Sequence, residues 1–69
     1  MATEITVVGG DRYHVEGTPK EAEERVVAAA RGSILELVWF TETATGAPLA
    51  LNPDHVVSLR AAPPREDIP

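Results

Sequence analysis

His14 and His55 are the two histidines of a 69-residue chain that has no cysteine. A zinc site built on them would need both imidazoles close together and one or two carboxylates beside them. Glu16 stands two residues after His14, so on a strand the two share a face and form a His-x-Glu pair. His14, Glu16 and His55 are therefore the candidate ligands for a metal ion or a small molecule. A solvated strand face explains the same residues without any ligand. Asp54 directly precedes His55, and neighbours on a strand point to opposite faces, which does not suit a catalytic dyad. Asn52-Pro53-Asp54 reads instead as a turn: Asn52 suits an Asx turn, Pro53 fixes the next φ, and the strand resumes beyond. Gly9-Gly10 follows an apolar run but lacks the G-x-G-x-x-G frame of a dinucleotide site and leads into a second strand. Ser33 lies outside any G-x-S-x-G frame, so no nucleophile elbow is present. Glu21, Glu23 and Glu24 read as a solvated first helical turn that suits the helix dipole. The expectation is a protein without catalytic residues, cofactor or metal.

Five segments must position these side chains. "EITVVGGDRYHVEG" reads as a hairpin, with period-2 alternation on each arm and Gly9-Gly10-Asp11 able to supply positive φ at the turn. "TPKEAEERVVAAARG" predicts a helix. Thr18 and Glu21 form a capping box, Pro19 suits the first helical position, and Gly32 suits the C-cap. Ala22, Val26, Ala29 and Ala30 make one apolar stripe of small residues, and Glu21 and Arg25 are spaced as an i, i+4 pair. "SILELVWFTET" reads as the longest strand, apolar on both faces. "LAL" and "HVVSLR" read as two more strands, separated by the Asn-Pro-Asp joint. The tail "AAPPREDIP" carries three prolines, and Ile68 is its only large apolar residue.

A chain of this length makes one small domain, assigned to residues 1–62, with 63–69 as an extended or disordered tail. Net charge is −5. The basic residues Arg12, Lys20, Arg25, Arg31, Arg60 and Arg65 form no run, which argues against nucleic acid as a partner. No apolar run approaches a membrane span, and no leader pattern opens the chain. The lack of cysteine fits a reducing cytoplasm. The Ala, Val and Arg content hints at a GC-rich bacterial source.

The predicted order is β-β-α-β-β-β: an α+β fold with an antiparallel sheet of four or five strands and one helix packed on one face. Ile5, Val7, Tyr13, Val15, Leu35, Leu37, Trp39, Leu49, Leu51, Val57 and Leu59 are expected to meet the helix. The other face then carries Val8, Ile34, Val38, Phe40, Ala50 and Val56, rimmed by Thr6, His14, Glu36 and Ser58. One helix cannot cover both faces. An uncovered apolar patch marks an interface, so Val8, Ile34, Val38, Phe40 and Val56 are the expected contact residues. A sheet curled until that patch faces inward, as in a small barrel, is the alternative geometry.

"ITVV", "RYHVEGTPKEAEERVVAAA", "ILELVWF" and "LAL…HVVSLR" together resemble a family of short actinobacterial proteins of unknown function, along nearly the whole chain. "GAPLALNPDHVVSLR" and "ITVVGGDRYHVEGTPKEAEERVV" resemble the small flagellar FlbD-type proteins, whose two halves stand in the opposite chain order. Neither resemblance implies a catalytic motif; the second implies an accessory, non-enzymatic role. The functional expectation is a non-catalytic interaction module, homo-oligomeric through the second sheet face or strand edges. The alternatives are an SH3-like or curled-sheet domain that binds a peptide or nucleic acid, and the histidine-based site above.

Overall fold

A computed structural model describes residues 2–32 and 36–62. Ser33, Ile34, Leu35 and the tail with Ile68 lie outside the described residues. The fold is α+β, in the predicted order. Strands β1 (Ala2–Val7) and β2 (Arg12–Glu16) precede helix α1 (Pro19–Arg31). Strands β3 (Val38–Thr41) and β4 (Pro48–Leu51) follow, and a 3-10 turn (Pro53–His55) leads into β5 (Val56–Ala61).

The strands form two antiparallel sheets rather than one. The first has the order β2-β1-β5; the second is the β3-β4 ribbon. One bridge, Val15 to Glu42, joins them, reinforced by the Thr43 N–H donating to the His14 carbonyl over 3.0 Å. The five strands are thus neighbours in the order β4-β3-β2-β1-β5, with the two sheets meeting at the β2-β3 seam. One cluster of Ile5, Val15, Ala22, Ala29, Val38 and Phe40 draws on both sheets and the helix.

The turn and capping signals act as the sequence implies, whereas Ala30 and Arg25 do not. Gly9 has φ 98° in the turn that the Gly10 N–H closes on the Val7 carbonyl, a conformation only glycine adopts cheaply. At the helix start the Glu21 N–H donates to Thr18 Oγ1 over 3.1 Å, and the Thr18 N–H donates to Glu21 Oε1 over 3.0 Å. Ala22 and Ala29 are buried and Val26 packs beside them, whereas Ala30 is exposed. Arg25 donates to the Trp39 carbonyl over 3.1 Å and lies 5.9 Å from the Phe40 ring centroid, so its partners are on β3 rather than at Glu21. Gly32 is the C-cap at φ −83°, not in the left-handed region; a Cβ there would collide with the Glu36 carboxylate.

Two face assignments are corrected. On β3, Val38 and Phe40 are 4% and 3% exposed, while Trp39 is 58% exposed. Directly opposed residues of a sheet share a face, and β3 pairs with β4 as Val38–Leu51, Phe40–Leu49 and Trp39–Ala50. Leu49 and Leu51 face the core, as expected, so Val38 and Phe40 must join them and Trp39 must leave. On β5, Leu59 packs against the core as expected, but Val56 also turns in, while Val57 is 64% exposed. The cause is a bulge: Thr6 opposes Ser58, yet Val7 opposes Val56, so Val57 is the extra residue and the alternation inverts past it. Leu37, expected to meet the helix, is also exposed.

Candidate interaction surface

The outer side of the three-stranded sheet carries its polar residues in rows set by the register. Glu4 on the central strand lies between His14 on β2 and Arg60 on β5; Thr6 lies between Arg12 and Ser58. Arg60 Nε donates to Glu4 Oε1 over 2.6 Å, and His14 Nε2 stands 3.4 Å from Glu4 Oε2. The two neighbours cover the Glu4 carboxylate, whose side chain is 7% exposed. The Arg60 hydrogen bond holds the Glu4 carboxyl below the usual glutamate range, against the opposing effect of burial. The His14 contact and the charges of Arg60 and Arg12 act in the same direction as the bond.

This cluster ties the three strands of the sheet together. One carboxylate oxygen is already taken by a guanidinium. Ser58 and His14 sit on strands flanking β1 on opposite sides, about 10 Å apart at the usual strand spacing, beyond hydrogen-bond reach. His55 occupies the 3-10 turn, where its carbonyl accepts from the Val8 N–H over 2.8 Å. His14 pairs with Glu4, four residues back along the chain from Val8, or about 13 Å of extended strand. The two histidines therefore do not converge. Among the described residues, no group of three or more His, Cys, Asp and Glu side chains is arranged to hold a metal ion. The Asn52-Pro53-Asp54 stretch is a joint: Asn52 Oδ1 accepts from the Asp54 N–H over 2.9 Å and starts the 3-10 turn.

Of the expected contact residues, Val38 and Phe40 close the core, Val56 packs against it, and Ile34 lies outside the described residues. Val8 is 61% exposed, at the His55 end of the β1–β5 pair, where Val57 is also exposed. Trp39 and Leu37 are the exposed apolar residues of the ribbon side.

The β5 border was accessible from pairing logic but not from apolar pattern. Among the described residues no strand lies beyond β5. The Ala62 N–H donates to the Ala2 carbonyl over 2.9 Å. Bonded rows alternate in an antiparallel pair, so the Arg60 and Ser58 backbones face β1, while Leu59 and Ala61 direct N–H and C=O away from it. The strand has no proline, and its one charged side chain is tied to Glu4. By contrast, the β4 border opens with Pro48, which lacks a donor.

Compared with family models, curated proteins and solved structures, the chain matches none.

Proposed function

We propose that this chain is a non-catalytic interaction module that self-associates through the border of its three-stranded sheet. The observation that carries the reading is β5: six residues, Val56–Ala61, paired along one side only among the described residues. An unpaired border of this length is a template for another strand. Two further facts support it. The described core holds six buried hydrophobic residues, two of them alanine, and a small domain without disulfides gains stability by associating. The exposed Val57 stands on the border strand itself and adds apolar area to any contact made there. The absence of cysteine from all 69 residues fits action in a reducing compartment such as the bacterial cytoplasm. No helix among the described residues is long and apolar enough to cross a membrane.

Sedimentation velocity from micromolar to millimolar protein tests the reading. A weight-average mass that rises with concentration to a dimer is expected; a monomer throughout overturns it.

A second reading, a curled-sheet domain that takes a peptide, rests on Trp39, 58% exposed on the outer side of the β3–β4 ribbon with only Ala50 opposite. The chain has one tryptophan, so its emission reports on that face alone. A blue shift on self-association would move the contact from β5 to the ribbon. The net charge of −5 speaks against a nucleic acid in either place.

A further inference from the structure

We propose that the outer face of the three-stranded sheet carries a binding site for a phosphate group, centred on Thr6 and formed by Arg12, Ser58 and Arg60. The site does not depend on any strand added at the border.

The register sets two adjacent rows on this face. Arg60, Glu4 and His14 form one; Ser58, Thr6 and Arg12 form the other. Neighbouring strands stand about 4.8 Å apart, and residues i and i+2 of one strand about 7 Å apart. Arg12 and Arg60 therefore rise on opposite sides of β1, one row apart. Both act on the Glu4 carboxyl, Arg60 by a direct bond and Arg12 through its charge, so both guanidinium groups lie near the central strand. Among the described residues, the Arg12 guanidinium and the Thr6 and Ser58 hydroxyls make no hydrogen bond. The cations of α1 are engaged elsewhere: Lys20 stands 3.9 Å from Glu24, and Arg25 donates to the Trp39 carbonyl.

Glu4 prepares Arg60 for an anion. A free surface arginine loses rotamer entropy when a ligand fixes it, and a side chain already fixed avoids that cost. The 2.6 Å bond from Nε to Glu4 Oε1 holds Arg60, and the terminal N–H groups of its planar fork remain for a second acceptor. Such a fork matches the oxygens of a phosphate. Glu4 itself is shielded from an arriving anion, since its side chain is 7% exposed and its charge is met by Arg60. Arg12 then supplies positive charge that no ion pair among the described residues offsets, and the two hydroxyls supply donors. The acidic groups of the chain stand off: Glu16 is four residues along β2 from Arg12, about 13 Å, and Glu21, Glu23 and Glu24 lie on the helix.

Titration of the isotope-labelled chain with inorganic phosphate, at neutral pH and constant ionic strength, tests the site through amide and arginine Nε–H chemical shifts. Saturable shifts centred on Thr6, Arg12, Ser58 and Arg60 are expected. Arg12→Ala takes no hydrogen bond from the described fold, so the variant should fold as the wild type does by circular dichroism. It should weaken binding roughly tenfold, the worth of one charge-assisted hydrogen bond. Thr6→Val keeps the branched shape, removes the hydroxyl and should weaken binding several-fold. Arg31→Ala removes the same charge from the far end of α1 and should change binding less than about twofold at physiological salt. Glycerol 3-phosphate in place of inorganic phosphate identifies the source: equal affinity indicates a phosphate group borne on a small molecule, and loss of affinity indicates the free ion. Shifts that never saturate, or an Arg31→Ala effect as large as that of Arg12→Ala, overturn the site. Neither result bears on self-association, which sedimentation reads separately.

Discussion

Phe40 and Trp39 are adjacent and meet opposite fates, and the reason lies outside either residue. Alternation along "SILELVWFTET" fixes that they point apart but not which one points in, because both sets are apolar. The pairing with β4 decides it: Phe40 opposes Leu49, and Trp39 opposes Ala50. Phe40 then fills the core beneath Arg25. Phe40→Ala should cost about 3–5 kcal/mol, the usual range for a buried phenylalanine. A domain this small has little more than that to lose, so the variant is expected largely unfolded. Trp39→Ala should stay within about 1 kcal/mol, as surface substitutions do. Urea denaturation followed by circular dichroism compares them; equal losses would mean the two residues share the core.

Glu4 makes a prediction of opposite character. Its carboxyl is held below the ordinary glutamate value, chiefly by the bond from Arg60. The unfolded chain therefore binds a proton at a pH where the folded chain does not, and stability must rise with pH across that interval. The contribution is complete above the ordinary value of about 4.3 and fades as pH falls from there toward the folded value. Glu4→Gln should lower the urea midpoint at neutral pH and flatten its decline below that value. A variant that declines as steeply as the wild type would assign the acid sensitivity to other carboxylates.

At the scale of elements, the sequence is most legible where a motif is short and its chemistry local. The Thr18–Glu21 capping box, the glycine turn of the first hairpin and the Asn52 joint all depend on residues within four positions of one another. The two misread elements depend on distant partners. β3 spans Val38–Thr41, with Glu36 and Leu37 outside it, and its face is set by β4. β5 changes face at Val57 because the bulge arises from its pairing with β1, more than fifty residues earlier in the chain. Ser-Leu-Arg reads correctly on the regular side of that bulge, and Val56 and Val57 read inverted on the other. A β-branched pair at the start of a strand gives no warning of which residue will be extra.

For the molecule as a whole, the expectation of one sheet with an uncovered apolar face gives way to two sheets sharing one core. The β3–β4 register turns Val38 and Phe40 into that core and so removes most of the apolar patch. Among the described residues it leaves β5 without a strand on its outer side. Apolar patterning does not display that border, because it consists of backbone groups that every residue carries. It becomes visible once the order β2-β1-β5 is known. The proposed self-association accordingly rests on the main chain of one strand rather than on side chains of a face.

Amide hydrogen exchange, read residue by residue at dilute and at concentrated protein, reaches that main chain directly. The account predicts that the Leu59 and Ala61 amides exchange quickly when dilute and slow markedly when concentrated, while the Arg60 amide, already bonded to β1, changes little. Leu59 and Ala61 amides that exchange at the same rate at both concentrations, with protection gained instead around Trp39, would contradict it.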